Sequence, residues 1–310
     1  MKARRRTRSP VPDAGAHGGD GAAVAAALGL DPAGVLDLSA SLNPLAPGVG
    51  RLVEEVAGTV VRYPDAGPAA ASLAAALGVD ADRVLLTNGG AEAIALVAAD
   101  VGRGWADPCE FSLYRRHLPV LDPAGPVFRS DPHNPTGRLA AAGSRAQVWD
   151  EAFYPLATGR WTAGRPGLVV GSLTKVFACP GLRIGYVIAD PPTVARLAAR
   201  QPAWAVNGIA AAVVPRLLEH ADLAGWRDGI SALRSEMADV LARAGLQPEP
   251  ADANWVLCRQ AAGLRAALAP HGVVVRDCRS FGLEGAARIA VPGPDGIDRL
   301  ERALAAAGYL

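Results

Sequence analysis

The stretch Ser172–Tyr186, SLTKVFACPGLRIGY, restricts this chain more than any other. Apolar runs bracket it: Leu168–Gly171 reads as a short buried strand and Leu182–Ala189 as a second. Between them stands Lys175, one of two lysines among 31 Lys and Arg residues; the other is Lys2, near the N-terminus. Arg and Lys serve equally as solvated surface charges, but a guanidinium keeps its proton, and only an amine can shed one and attack a carbonyl. Lys175 is therefore either a chance survivor on a surface or a nucleophile, most naturally a Schiff-base lysine.

The neighbours of Lys175 favour chemistry. Ser172 and Thr174 supply hydroxyl donors, and Arg183 supplies a guanidinium fork, the makings of an anion pocket. An imine-forming lysine beside a phosphate pocket suggests pyridoxal 5′-phosphate. The rest of the composition is permissive. At 310 residues the chain can bury a large core and divide into two domains. A net charge of +1 gives no case for nucleic acid or a membrane surface as partner. Cys109, Cys179, Cys258 and Cys278 form no C-x-x-C pair and have no histidine at metal spacing, so the expectation is free thiols in a reducing compartment and no metal. Residues 1–14 are basic without a following apolar run; they read as a disordered tail rather than a signal peptide. The Ala-rich apolar runs are too short to cross a membrane, and the expected location is the cytoplasm.

Along the chain, a helix over Gly21–Leu30 and a strand over Leu36–Ser39 lead into SLNPLAPG, where Pro44 and Pro47 stop regular structure. Helices follow over Val49–Val61 and Pro68–Leu77, the latter capped by Gly78. A strand at Val84–Leu86 runs into TNGGAEAI and a helix, a Gly-rich turn whose N–H groups either close a tight corner or point at an anion. Val127–Arg129 feeds the turn Asn134-Pro135-Thr136-Gly137, and Gln147–Trp149 ends at Asp150. Asp150 is an N-cap or, at a strand's C-terminal end, an acid able to pair with a protonated pyridine nitrogen. After two long helices, Gly208–His220 and Leu223–Ala244, the order β-α-β-β-α reads as a small α+β domain.

These motifs, with HGGD at His17–Asp20, RYPD at Arg62–Asp65, AWAVN at Ala203–Asn207 and ARIAV at Ala287–Val291, cover nearly the whole chain. Together they resemble the fold-type I, class I/II aminotransferase-like enzymes, and HGG, SLNPL and WAVN resemble their threonine-phosphate decarboxylase branch, a close relative of histidinol-phosphate aminotransferase. The resemblance implies an α/β fold with a mixed, mostly parallel sheet in a large domain, and a small α+β C-terminal domain. The expected organisation is an arm over 15–48, a large cofactor domain over 49–200 and a small domain over 201–310. It implies Lys175 as the imine lysine, Asp150 on the ring nitrogen, Asn134 on the ring hydroxyl and Phe111 stacked on the ring. Gly90, Ala91, Ser172, Thr174 and Arg183 would hold the cofactor phosphate. Tyr63 would reach the phosphate of a partner subunit, implying a homodimer. Arg288 would bind the substrate's acidic group, and His17, Ser39 and Asn43 would belong to an arm closing over it.

Against the family pattern, only 19 residues separate Tyr114 from Asn134 and 12 separate Gly137 from Asp150, too few for full crossover helices. A trimmed large domain is expected, lacking one or two surface helices. Pro292 stands where the branch often has a second arginine, and Phe153 where many aminotransferases have Tyr. Three functions follow. The first is decarboxylation of L-threonine O-3-phosphate to (R)-1-aminopropan-2-ol phosphate, a step of cobalamin biosynthesis. The second is amino transfer on a substrate such as histidinol phosphate. The third is a non-catalytic paralogue.

Overall fold

The computed structural model describes residues 11–310. Its strands in chain order are β1 Leu36–Leu38, β2 Val84–Asn88, β3 Arg103–Gly104, β4 Val120–Leu121, β5 Phe128–Ser130, β6 Val148–Asp150, β7 Leu168–Gly171, β8 Ile184–Ile188, β9 Trp255–Cys258, β10 Val273–Asp277 and β11 Ala287–Ala290. The chain divides into two units. One takes Leu42–Ala232 and Pro250–Asn254; the other takes Leu233–Glu249, Trp255–Leu310 and the described residues up to Ser41.

In the first unit, β2-β8-β7-β6-β5 form one sheet. β5, β6 and β7 are mutually parallel, β8 is antiparallel to β7, and β2 is antiparallel to β8. Four strands thus point one way and β8 alone points back, the mixed, mostly parallel sheet of an α/β fold. Side chains alternate across it. Val84, Leu86, Trp149, Val169, Tyr186 and Ile188 enter one apolar cluster. Phe128, Val148, Val170 and Val187 enter the other. Helices cover both faces: Gly67–Leu77 and Gly208–Glu219 pack on the first cluster's side, and Gly89–Val101 and Pro191–Ala198 on the second. Gly78 does cap its helix, with a left-handed φ of 70°.

The trimming is visible. Residues 131–147 connect two parallel strands without a helix. The segment before β5 holds only the short helix Ser112–His117 and the small parallel pair β3–β4.

The second unit holds β1-β10-β11-β9. β10, β11 and β9 are antiparallel neighbours, and β1 lies parallel to β10 with Leu36 opposite Val273. Two expectations change here. Residues 36–38 of the supposed arm are an edge strand of this sheet, because their apolar side chains complete its face. The helices Gly208–Glu219 and the start of Leu223–Arg243 lie in the first unit, not the C-terminal one, because Val213, Leu217 and Trp226 fill the first unit's core. Residues 1–10 of the expected tail lie outside the described residues. Val11 is not tail-like: it is 9% exposed and clusters with Val24, Ala269 and Val274. Among the described residues, no helix is long and apolar enough to cross a membrane, and no cluster of ligands could hold a metal.

Candidate active site

Strand direction gathers the site. The C-terminal ends of β2, β5, β6 and β7 share one sheet edge, where open α/β sheets place ligands. They deliver Gly89–Ala91, the Asn134 turn, Asp150, and Ser172 with Lys175. β8 starts where the others finish, with Ile184 opposite Asn88 and Tyr186 opposite Gly171. Its reversal carries Arg183 to the same edge.

Lys175 lies in a single helical turn, Leu173–Val176, directly after β7. Its Nζ is 5.8 Å from the centre of the Phe153 ring. Asp150 accepts hydrogen bonds from Tyr114 Oη (2.7 Å) and the Ala152 N–H (3.0 Å). Burial raises the Asp150 carboxyl above its usual range, opposed by those two bonds and by the Lys175 charge. Such a carboxyl, cut off from water, suits a cationic nitrogen as partner.

The helix Gly89–Val101 points its N-terminus into this edge. Gly89 has φ 77°, and a Cβ there would meet Arg183 Nη2 at 2.4 Å. A Cβ on Gly185 would meet the Gly89 carbonyl carbon at 2.5 Å, and one on Gly90 would touch the Ser172 side chain at 3.7 Å. Two glycines thus let helix, strand and guanidinium close to contact. Arg183 itself is left-handed (φ 55°), an uncommon state for a residue with a Cβ. First-turn N–H groups, a hydroxyl and an arginine around one point make an anion cradle. Amine, buried carboxylate and cradle on one edge fit pyridoxal 5′-phosphate.

The other expected residues fall differently. Phe111 stands edge-on to Tyr114, centroids 5.9 Å apart. Asn134 is buried at the end of β5, its N–H donating to Ser130 Oγ at 2.9 Å. The Thr174 hydroxyl donates to the Ile184 carbonyl at 3.1 Å. Asn43 packs against the lysine turn. Its N–H donates to the Lys175 carbonyl (3.1 Å), its Nδ2 to the Val176 carbonyl (2.9 Å), and its Oδ1 accepts from Leu45 (3.0 Å). It holds the lysine turn in place. Tyr63 is 79% exposed and stacked on Trp204 at 4.4 Å.

In the second unit, Ser39 is fully buried and its hydroxyl is committed to Asp37 (2.5 Å) and the Gly19 N–H (2.8 Å). It shapes a turn. His17 is exposed beside that turn. Arg288, on β11, donates to the Ser39 carbonyl at 3.3 Å and lies over the Trp255 ring at 5.1 Å. Burial, with Arg276 opposite it on β10, lowers its pKa to about 10.

Sequence reasoning missed a second set. Arg165 bridges Asp131 and Glu151 (3.0 Å to the latter) and stacks over Trp149 at 4.1 Å. This clamps the ends of β5 and β6 beside the Asn134 turn and Asp150. Its signal was faint: one Arg in a Gly/Pro loop. Tyr114 is equally easy to misread, since an aromatic three residues after Phe111 looks like plain core.

Residues 126–305 match the family described as aminotransferase class I and II. The threonine-phosphate decarboxylase of Salmonella typhimurium is 33% identical to this chain over 63% of it and 68% of that protein. Histidinol-phosphate aminotransferase 1 of Cupriavidus pinatubonensis is 27% identical over 91% of each, and relatives of that name recur among the matches. The solved histidinol-phosphate aminotransferase of Sinorhizobium meliloti, a complex with pyridoxal 5′-phosphate, superposes with a TM-score of 0.81 over 99% of this chain and 98% of that one, at 19% identity.

Proposed function

This chain belongs to the aminotransferase class I and II family and is a pyridoxal 5′-phosphate enzyme, and within that family we propose that it decarboxylates L-threonine O-3-phosphate, releasing CO2 and (R)-1-aminopropan-2-ol phosphate. When bound, the cofactor supplies an electron sink for the bond that breaks at the substrate's Cα. The chain's own residues do the rest. Lys175 Nζ tethers the cofactor aldehyde and delivers the proton that replaces CO2 at Cα. Asp150 keeps the ring nitrogen positive, Asn134 contacts the ring hydroxyl and Phe111 stacks on the ring. The Gly90 and Ala91 amides, Ser172 and Arg183 hold the phosphate. Asn43 fixes the lysine turn, so that Nζ keeps its aim.

One observation supports the choice of substrate: Arg276 and Arg288 are both buried and directly opposed across β10 and β11, with Arg276 giving N–H groups to the Gly15 and Ala16 carbonyls and to Ser280 Oγ, which leave its charge unneutralised. Two desolvated guanidiniums side by side repel, and a ligand with two anionic groups offsets that. Threonine phosphate carries a carboxylate and a phosphate on one molecule; histidinol phosphate carries only the phosphate and leaves a second anion to its dicarboxylate co-substrate. Arg288 takes the acidic group, with His17 covering it. The competing reading, amino transfer on histidinol phosphate, is favoured by the number of relatives so named. A second copy of the chain would cover the exposed Val60, Val61, Tyr63 and Trp204, bringing Tyr63 to the partner's cofactor phosphate.

The deciding experiment incubates the purified, cofactor-loaded protein with threonine phosphate and, separately, with histidinol phosphate plus 2-oxoglutarate. CO2 and aminopropanol phosphate in the first tube support the proposal. Glutamate in the second with no CO2 in the first overturns it. Lys175→Ala should abolish turnover and the lysine-bound absorbance band together.

A further inference from the structure

Linked to Asp150 through Tyr114 and Ser130 is a second buried acid that the chemistry above does not use. Glu110 is 4% exposed. Its Oε2 accepts from Ser130 Oγ at 2.5 Å and its Oε1 from the Ser130 N–H at 3.1 Å. Ser130 Oγ also accepts from the Asn134 N–H at 2.9 Å and faces the Tyr114 hydroxyl. Tyr114 in turn donates to Asp150 Oδ2 at 2.7 Å. Two carboxyls are thus joined through two hydroxyls, in a region where effective dielectric is low and charges feel one another.

The other charged groups around Glu110 do not neutralise it. His133 is the nearest base, with Nε2 4.0 Å from Glu110 Oε1, but burial and Arg129 lower its pKa, which keeps it neutral. Its Nδ1 is engaged with Thr136 Oγ1 at 2.9 Å. Arg129 acts on Glu110 only as a weak lowering influence, and Asp107 and Arg138 line the same cavity. That cavity, about 410 Å³, is bordered by Glu110, His133, Arg129 and Arg138. Burial first, and Asp150 among the smaller causes, raise the Glu110 carboxyl to about 7.

We propose that Glu110 is a positioning residue for the ring nitrogen: a proton-gated second carboxylate that gives up its proton when a positive charge settles against Asp150. Before the cofactor binds, with the Lys175 charge acting on Asp150, burial and the residual repulsion between the two carboxyls across Tyr114 and Ser130 keep the proton on Glu110. A cationic nitrogen at Asp150 removes that repulsion, because a nearby positive charge favours an ionised acid. The Glu110 proton leaves through the adjoining cavity to solvent, and the Ser130 hydroxyl and N–H, already donating to Glu110, hold the carboxylate that forms. The ring nitrogen paired with Asp150 would then feel a second negative charge through Tyr114 and Ser130. By linkage, affinity for the cofactor rises with pH through the Glu110 transition. The inference rests on the pairing of Asp150 with the ring nitrogen.

The test reads protons, not turnover. Apoprotein is titrated calorimetrically with pyridoxal 5′-phosphate near pH 7 in buffers of different ionisation enthalpy, and the protons released per site are extracted. Wild type should release up to about one proton more than Glu110→Gln, and the pH dependence of its affinity should flatten in the variant by up to about tenfold per pH unit. The 1-deaza analogue of the cofactor, whose ring has carbon in place of the nitrogen, needs no variant: with wild-type protein the extra proton should vanish. Equal proton release from wild type and Glu110→Gln, or from cofactor and deaza analogue on wild type, overturns the proposal. If no cofactor binds at all, the pairing at Asp150 fails first, and the two failures are told apart by the absorbance of the bound cofactor.

Discussion

Replacing Arg165 with Met removes the cation that bridges two buried acids. Glu151 and Asp131 have side chains that are 0% and 1% exposed, and Arg165 pairs with both. Met keeps most of the stem that lies on Trp149, so packing changes little. The carboxylates retain other donors: Thr162 (2.6 Å) and the Ala163 N–H for Glu151, and the Ala140 N–H (2.7 Å) for Asp131. Stranding a buried charge costs about 3–5 kcal/mol, and the surviving donors place this case near the lower end, about 3 kcal/mol. Loss of the stacked guanidinium adds roughly 1 kcal/mol. The pH dependence has a definite sign. Burial already raises the Glu151 carboxyl above its ordinary value, so the folded state favours its neutral form, and that benefit is present at low pH and lost as pH rises. Without Arg165 the folded pKa rises further, so the variant's deficit is largest at neutral pH and shrinks as the solution is acidified toward the usual carboxylate range. Urea denaturation of both proteins at several pH values measures this. A deficit under about 1 kcal/mol at neutral pH, or one that does not narrow in acid, would refute the reading that Arg165 is the electrostatic clamp of this edge.

Further outcomes follow from the same geometry. Gly89→Ala forces a Cβ into a left-handed residue against Arg183; a stability loss of about 1–3 kcal/mol with weakened cofactor binding is expected, read by thermal unfolding and fluorescence titration. Ser172→Ala should weaken cofactor binding about tenfold, consistent with one lost charge-assisted bond. Thr174→Val should instead cost about 1 kcal/mol of stability with affinity nearly unchanged, because its hydroxyl serves the Ile184 carbonyl; equal affinity losses in the two variants would place Thr174 in the cradle. Trp204→Ser should reduce apolar exposure and shift the protein toward monomer in sedimentation experiments, since Trp204 and Tyr63 stack on an open surface.

Much of the cofactor site is legible in the residues themselves. A lone lysine between two apolar runs, a Gly-rich turn after a strand and an acid at a strand's end each have local signatures, because backbone geometry near a strand terminus depends on residues close in sequence. The partners of Thr174, Ser39 and Asn43 are not legible in the sequence, for the opposite reason. A hydroxyl or amide in a motif shows what it can donate, not which acceptor lies nearest; those acceptors, at Ile184, Asp37 and Val176, were fixed only by folding.

By itself the sequence determined the chemistry of the Ser172–Tyr186 stretch: an amine, two hydroxyls and a guanidinium at set spacing between two strands. Those identities travel with the chain whatever its fold. Tertiary structure decided that β8 runs back against its neighbours, which carries Arg183 to the mouth of the helix at Gly89. It also decided that Asp150 is backed by Tyr114, Ser130 and Glu110, and that Arg165 ties the ends of β5 and β6. Glu110 and Asp150 are 40 positions apart, and the charge that one feels from the other exists only when burial removes the water between them.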